Sequence, residues 1–182
     1  MTFGEALKGL RYLEGGFVVD DGGPTEAGIT QATYDGFCQQ HGLTVTPVNQ
    51  MTPQLIAEFY RLAYWEPLLC GQLPDKVDFV LFQWAVNHDG PGNAGGAVES
   101  LQICSGAEPD GIMGPETVRV ANNMDPAKLC SCILSRQDGW YEADSLKNPD
   151  APLRGWRDRV DRVRSFIQSA TSPQSPHNVQ GA

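Results

Sequence analysis

Near the start of the chain, Phe3, Leu7, Leu10 and Glu14 follow one another at steps of four, three and four. Residues so spaced share one face of a helix, which the pattern places from Thr2 to about Glu14. Gly15 and Gly16 then stop it. A carboxylic acid thus ends an otherwise apolar stripe. The next segment, FVVDDGGPTEAGIT over 17–30, changes character. A β-branched run, an Asp-Gly-Gly-Pro turn and a short return strand predict a small irregular hairpin.

The rest of the chain reads as helices. Thr30 is placed to cap one that runs to about Gln40 and is closed by Gly42. After a loop over 43–51, Thr52-Pro53 gives a cap followed by a first-turn proline. That helix reaches about Tyr64 and buries Ile56, Phe59, Tyr60 and Ala63. Pro74–Asn87 carries the stripe Val77, Leu81, Trp84, Ala85, and a glycine-rich break over 88–96 ends it. A helix with Ala97 and Leu101 follows, then a turn at Asp110–Pro115 that opens another. Helices over 126–141 and 152–168 complete the set, the last with Trp156, Val160, Val163 and Ile167 at steps of four, three and four. Residues 169–182 have no apolar period and are expected to form a flexible tail. The fold class expected is mainly α, with one small β-hairpin and a helical C-terminal lobe.

Composition narrows the function. A chain of 182 residues, 41% of them hydrophobic, is long enough for one compact domain or two fused lobes. The net charge of -9 and the pI of about 4.7 argue against nucleic-acid binding, which needs a clustered basic surface. No apolar run approaches the roughly 18 residues of a membrane span. The first residues lack a basic start, a continuous apolar stretch and a cleavage site, so no signal peptide is expected. The reading is synthesis in the cytoplasm, with release or secretion by another route. Five cysteines, an odd and scattered set, predict reduced thiols, and Cys130-x-Cys132 is not a C-x-x-C loop. With only His41, His88 and His177 as histidines, no metal site and no cofactor are expected.

Candidate chemistry gathers where the first helix meets the hairpin. A partly desolvated Glu14 would have a raised pKa, as a general acid needs near neutrality. Asp20 or Asp21, on a hairpin folding back across the helix end, would supply a second carboxylate, and glycosidic cleavage commonly uses two. Thr25 has a hydroxyl that could position water. Tyr64 and Trp65 are candidate sugar-stacking rings, and Asn87 is a candidate partner for an acetamido group. Taken singly, each also has a packing or capping explanation.

The run LEGGFVVDDGGPTEAGIT resembles the signature of glycoside hydrolase family 108, N-acetylmuramidases with a lysozyme-like fold. The match lies in Glu14-Gly15-Gly16-Phe17 and in Gly22-Gly23-Pro24-Thr25-Glu26-Ala27-Gly28-Ile29-Thr30. The resemblance implies Glu14 as catalytic acid, with Asp20 or Asp21 and Thr25 beside it. YRLAYWEPLLCGQLPDKV resembles the end of that family's catalytic lobe. FQWAVNHDGPGNAGGAVESLQ and DGIMGPET resemble the peptidoglycan-binding region usually fused to it. Two departures are visible: a short turn between Phe17 and Gly22, and Gln83 where related sequences often carry aspartate. The implied organisation is a lysozyme-like catalytic lobe over 1–70, a helical peptidoglycan-binding lobe over 71–168 and a tail over 169–182. The implied activity is that of an endolysin-like muramidase, a monomer whose partner is the peptidoglycan glycan strand. The alternatives are a lytic transglycosylase and a non-catalytic cell-wall-binding module.

Overall fold

The computed structural model describes residues 1–13, 25–26, 28–88, 95–148 and 150–169. They form helices α1 (Phe3–Leu13), α2 (Gln31–His41), α3 (Pro53–Tyr60), α4 (Val77–His88), α5 (Gly95–Ser105), α6 (Pro115–Asn122), α7 (Pro126–Lys147) and α8 (Leu153–Ser169), with strands β1 (Thr25–Glu26) and β2 (Ile29–Thr30). The fold is mainly α with one two-stranded antiparallel sheet, as the periodicity predicts.

Local chemistry accounts for where the helices begin. At the start of α1 the Thr2 hydroxyl accepts from the Glu5 amide at 3.3 Å, and the Glu5 carboxylate accepts from the Thr2 amide at 2.8 Å. This reciprocal pair is a capping box. Thr30, Thr52 and Asp125 accept from the amides of Thr33, Leu55 and Lys128, capping α2, α3 and α7. Proline occupies the first turn of α3, α6 and α7, where no amide hydrogen bond is lost.

α4 is the central element. The residues from Val77 to Ala85 are all buried, including Asp78 and Gln83, so this helix packs on every side. α1, α5 and α7 pack against it, and α8 reaches it through Phe166 on Phe79 and Arg159 on Gln83. α1 approaches closely enough that a Cβ on Gly9 would lie 2.7 Å from the Phe166 ring and 2.8 Å from that of Phe79. The buried core runs without a break from Ala6 in α1 to Val163 in α8.

Two elements differ from the pattern-based expectation. The helix expected to continue to Tyr64 leaves α geometry after Tyr60 and forms one π turn over Arg61–Trp65, with the Glu66 amide donating to the Arg61 carbonyl. The wider turn buries Ala63, Tyr64 and Trp65 in succession, which α geometry would spread around the helix. α7 runs to Lys147 rather than 141, because no breaker intervenes before Asn148.

The expectation of five reduced thiols is corrected. Cys104 and Cys132 form a disulfide, while Cys38, Cys70 and Cys130 are free and buried. α5 and α7 pack side by side and bring the two Cα atoms to 5.9 Å, within the range that a disulfide spans. That proximity is tertiary, so neither an odd count nor a separation of 28 residues reveals it.

Candidate functional site

The candidate acid follows directly on α1. Leu10 and Leu13 are each 2% exposed, so the helix delivers its buried stripe up to the residue before Glu14. Glu14, Asp20 and Asp21 themselves lie outside the described residues. On the far side of the hairpin, Thr25 pairs with Thr30 and Glu26 with Ile29. Gly28 supplies the turn, with φ of 81°, a left-handed conformation that glycine adopts without strain. A Cβ there would lie 3.5 Å from the Tyr60 hydroxyl oxygen, so the turn rests on α3.

The return strand is fixed from behind. Ile29 is buried, and the Thr30 side chain caps α2. The Gln31 side chain accepts from the Val48 amide at 2.8 Å and donates to Asp35 at 2.6 Å. It therefore ties the start of α2 to the loop before α3. The scaffold under Thr25 is thus anchored to two helices.

Tyr64 and Trp65 sit on the π turn, 5% and 7% exposed. Tyr64 contacts the rings of Phe59 and Tyr60. Trp65 packs edge-on against Phe3 and Phe82, at centroid distances of 5.6 and 5.5 Å. Both rings thus meet other aromatic side chains, and Trp65 links the π turn to α1 and α4.

Asn87 lies elsewhere, near the C-terminus of α4. Its Oδ1 accepts from the Tyr141 hydroxyl at 2.6 Å. That hydroxyl accepts from Gln137 Nε2 at 2.8 Å, and Gln137 Oε1 accepts from Gln83 Nε2 at 3.0 Å. Gln83 Oε1 in turn accepts from Arg159 Nε at 3.3 Å. A polar chain therefore crosses the core from α8 through α4 and α7 and sets the orientation of the Asn87 amide. Gln137 and Tyr141 were not singled out from the sequence. A glutamine between Phe82 and Trp84 in an apolar helix is the signal that such a chain exists, since a buried amide needs partners.

Among the described residues, no group of three His, Cys, Asp or Glu side chains is placed to hold a metal, and no helix is long and apolar enough to cross a membrane.

Residues 8–89 match the family model Glycosyl hydrolase 108. No curated protein matches the chain. Among solved structures it is similar to that of Brucella abortus SagA, with 27% identity over 94% of this chain and 97% of that one, at a TM-score of 0.73. That likeness extends beyond the family match to the helices after residue 89, and it supports the lysozyme-like, mainly α fold. The family match covers Glu14, the hairpin, the π turn and α4. Residues 8–89 of the chain are thus similar to glycosyl hydrolase family 108, and the likeness to SagA extends over nearly the whole chain.

Proposed function

We propose that the protein is a peptidoglycan hydrolase, an N-acetylmuramidase that cleaves the β-1,4 bond between N-acetylmuramic acid and N-acetylglucosamine. Glu14 protonates the glycosidic oxygen as the bond breaks. Asp20 or Asp21 supports the positive charge that develops on the sugar ring or activates water, and Thr25 orients that water. The observation that carries this reading is the family match over the segment in which a buried apolar stripe ends one residue before Glu14. A carboxyl group beside that stripe has reason to hold its proton near neutral pH.

In this reading residues 1–70 form the catalytic lobe, 71–168 the peptidoglycan-binding lobe and 169–182 a tail. The protein acts as a monomer, without cofactor, in the manner of an endolysin. It reaches the wall after release from the cytoplasm. Tyr64 and Trp65 shape the substrate groove, and Asn87 meets an acetamido group.

Mass spectrometry of the soluble products from purified peptidoglycan tests the bond and the mechanism together. Products with a reducing-end muramic acid are expected. Anhydromuramic ends would instead make the enzyme a lytic transglycosylase, and an absence of released glycan would leave a wall-binding module.

A further inference from the structure

The cations of this acidic chain are not spread evenly. α1 and α8 together hold seven of its 13 Lys and Arg residues against three acids, a net charge of +4. The remaining residues hold six cations and 19 acids, a net charge of -13. The two helices lie near opposite ends of the sequence, and the fold packs them together. Gly9 of α1 sits on the Phe166 ring of α8, and Tyr12 stacks on that ring with centroids 6.3 Å apart. A segregation hidden in the overall charge of -9 thus becomes one surface.

Three of the seven cations are already engaged. Arg157 pairs with Glu142 of α7, and Arg164 pairs with Asp138 and Asp161. Arg159 is buried and donates to Gln83. Lys8, Arg154 and Arg162 are exposed, and none of them has an ion-pair partner among the described residues. Lys8 lies one turn before Tyr12, and Arg162 one turn before Phe166, so the two flank the stacked rings. Arg154 stands two turns before Arg162 on the same stripe, about 12 Å along the axis. Asp158 lies between them and offsets one charge, while Glu5 is held by Thr2 in the cap of α1.

Cations on long stems, set along a helix pair, select for density of negative charge rather than for shape. Tyr12, 56% exposed, places an aromatic ring with a polar tip among them. Such a ring with Lys and Arg around it matches the headgroup layer of an anionic bilayer, where the ring and the stems settle among headgroups and the charges meet phosphate. The acidic remainder of the molecule does not cancel the attraction. At physiological salt a charge is screened beyond about 8 Å, so acids farther than that from the contact are shielded from it.

We propose that the α1–α8 face, through Lys8, Arg154 and Arg162 around Tyr12, docks the protein peripherally on an anionic phospholipid surface. The contact is electrostatic and reversible. Among the described residues no helix is long and apolar enough to cross a membrane, so the face orients the chain on the bilayer rather than inserting it. The location rests on the charge segregation and not on the muramidase reading.

The test is sedimentation of the full-length protein with vesicles of equal parts phosphatidylglycerol and phosphatidylcholine, beside vesicles of phosphatidylcholine alone. Binding to the acidic vesicles alone is expected at low salt, with its loss as salt rises to about 0.5 M. Lys8→Gln, Arg154→Gln and Arg162→Gln together should weaken it about 10²-fold, at about fivefold per cation. The same change of charge on exposed residues of α7, Lys128→Gln with Arg136→Gln and Lys147→Gln, should leave it within a few-fold. Equal losses in the two triple variants would reduce the effect to net charge and overturn the proposal. Failure of the wild type to bind acidic vesicles at low salt would do the same, whether or not a variant folds. Binding to soluble polyglutamate in preference to vesicles would make the partner an acidic protein and overturn the lipid assignment.

Discussion

Gly9 shows how one residue sets the approach of two helices. With no Cβ, it lets α1 settle against the rings of Phe79 and Phe166. A methyl group there would have to displace both, and the rings have packed neighbours of their own. Gly9→Ala should therefore destabilise the protein by about 1–3 kcal/mol, measured by urea denaturation, despite the better helix propensity of alanine. A neutral or stabilising result would mean that α1 sits farther from α4 and α8. The sequence shows this glycine only as a gap in a helical pattern; the reason for it lies in residues 70 and 157 positions away along the chain.

His88 makes a second residue-scale argument. Burial holds its pKa below the ordinary value of 6.5, against an opposing pull from Asp144. Between the folded value and 6.5 the unfolded chain takes up a proton that the folded protein refuses. The contribution of neutral His88 to stability is thus complete above pH 6.5 and declines as pH falls through 6.5 towards the folded value. Thermal denaturation across pH 5 to 8 should show a steeper acid-side loss in the wild type than in His88→Gln. Parallel curves would show that the imidazole is not desolvated.

At the scale of elements, legibility followed the range of the interactions. The helices and their caps were readable because period and capping are local: Thr30, Thr52 and the first-turn prolines act within four residues. The π turn was not readable, because Trp65 is drawn inward by Phe3 and Phe82, on other elements of the fold. The disulfide was missed for the same reason. It closes a 28-residue separation between α5 and α7, and chain entropy gives such a link about 3.5 kcal/mol. Reduction should lower the melting temperature and expose Cys104 and Cys132 to alkylation in the native state. Cys38, Cys70 and Cys130 should stay unmodified until the chain unfolds: all are buried, and burial pushes the Cys130 thiol up to about 12. Mass spectrometry reads the count directly, and five labels on the reduced native protein would contradict the packing.

At the scale of the whole molecule, the sequence motif lies between α1 and the two-stranded sheet. The segment with Glu14 and the hairpin was recognisable from residue order alone, because glycine-rich turns and a helix-ending acid leave marks that survive without a structure. Thr25 is now seen on a strand that packs against β2 and the short turn over Val48–Gln50. A ring cluster at the end of α4 could not be seen in advance, since it needs three helices to bring His88, Trp140 and Trp156 together. On the proposed function, a net charge of -9 gives the protein little long-range attraction to an anionic wall, so short-range contacts would have to hold the strand.

The central claim is that Glu14 donates the proton. The most direct test is the turnover rate of Glu14→Gln on purified peptidoglycan, beside a circular dichroism melt of the same sample. The substitution keeps the size of the side chain and removes its titratable proton. The account predicts a loss of about 10²-fold or more with an unchanged melt. Turnover within a few-fold of the wild type would contradict it.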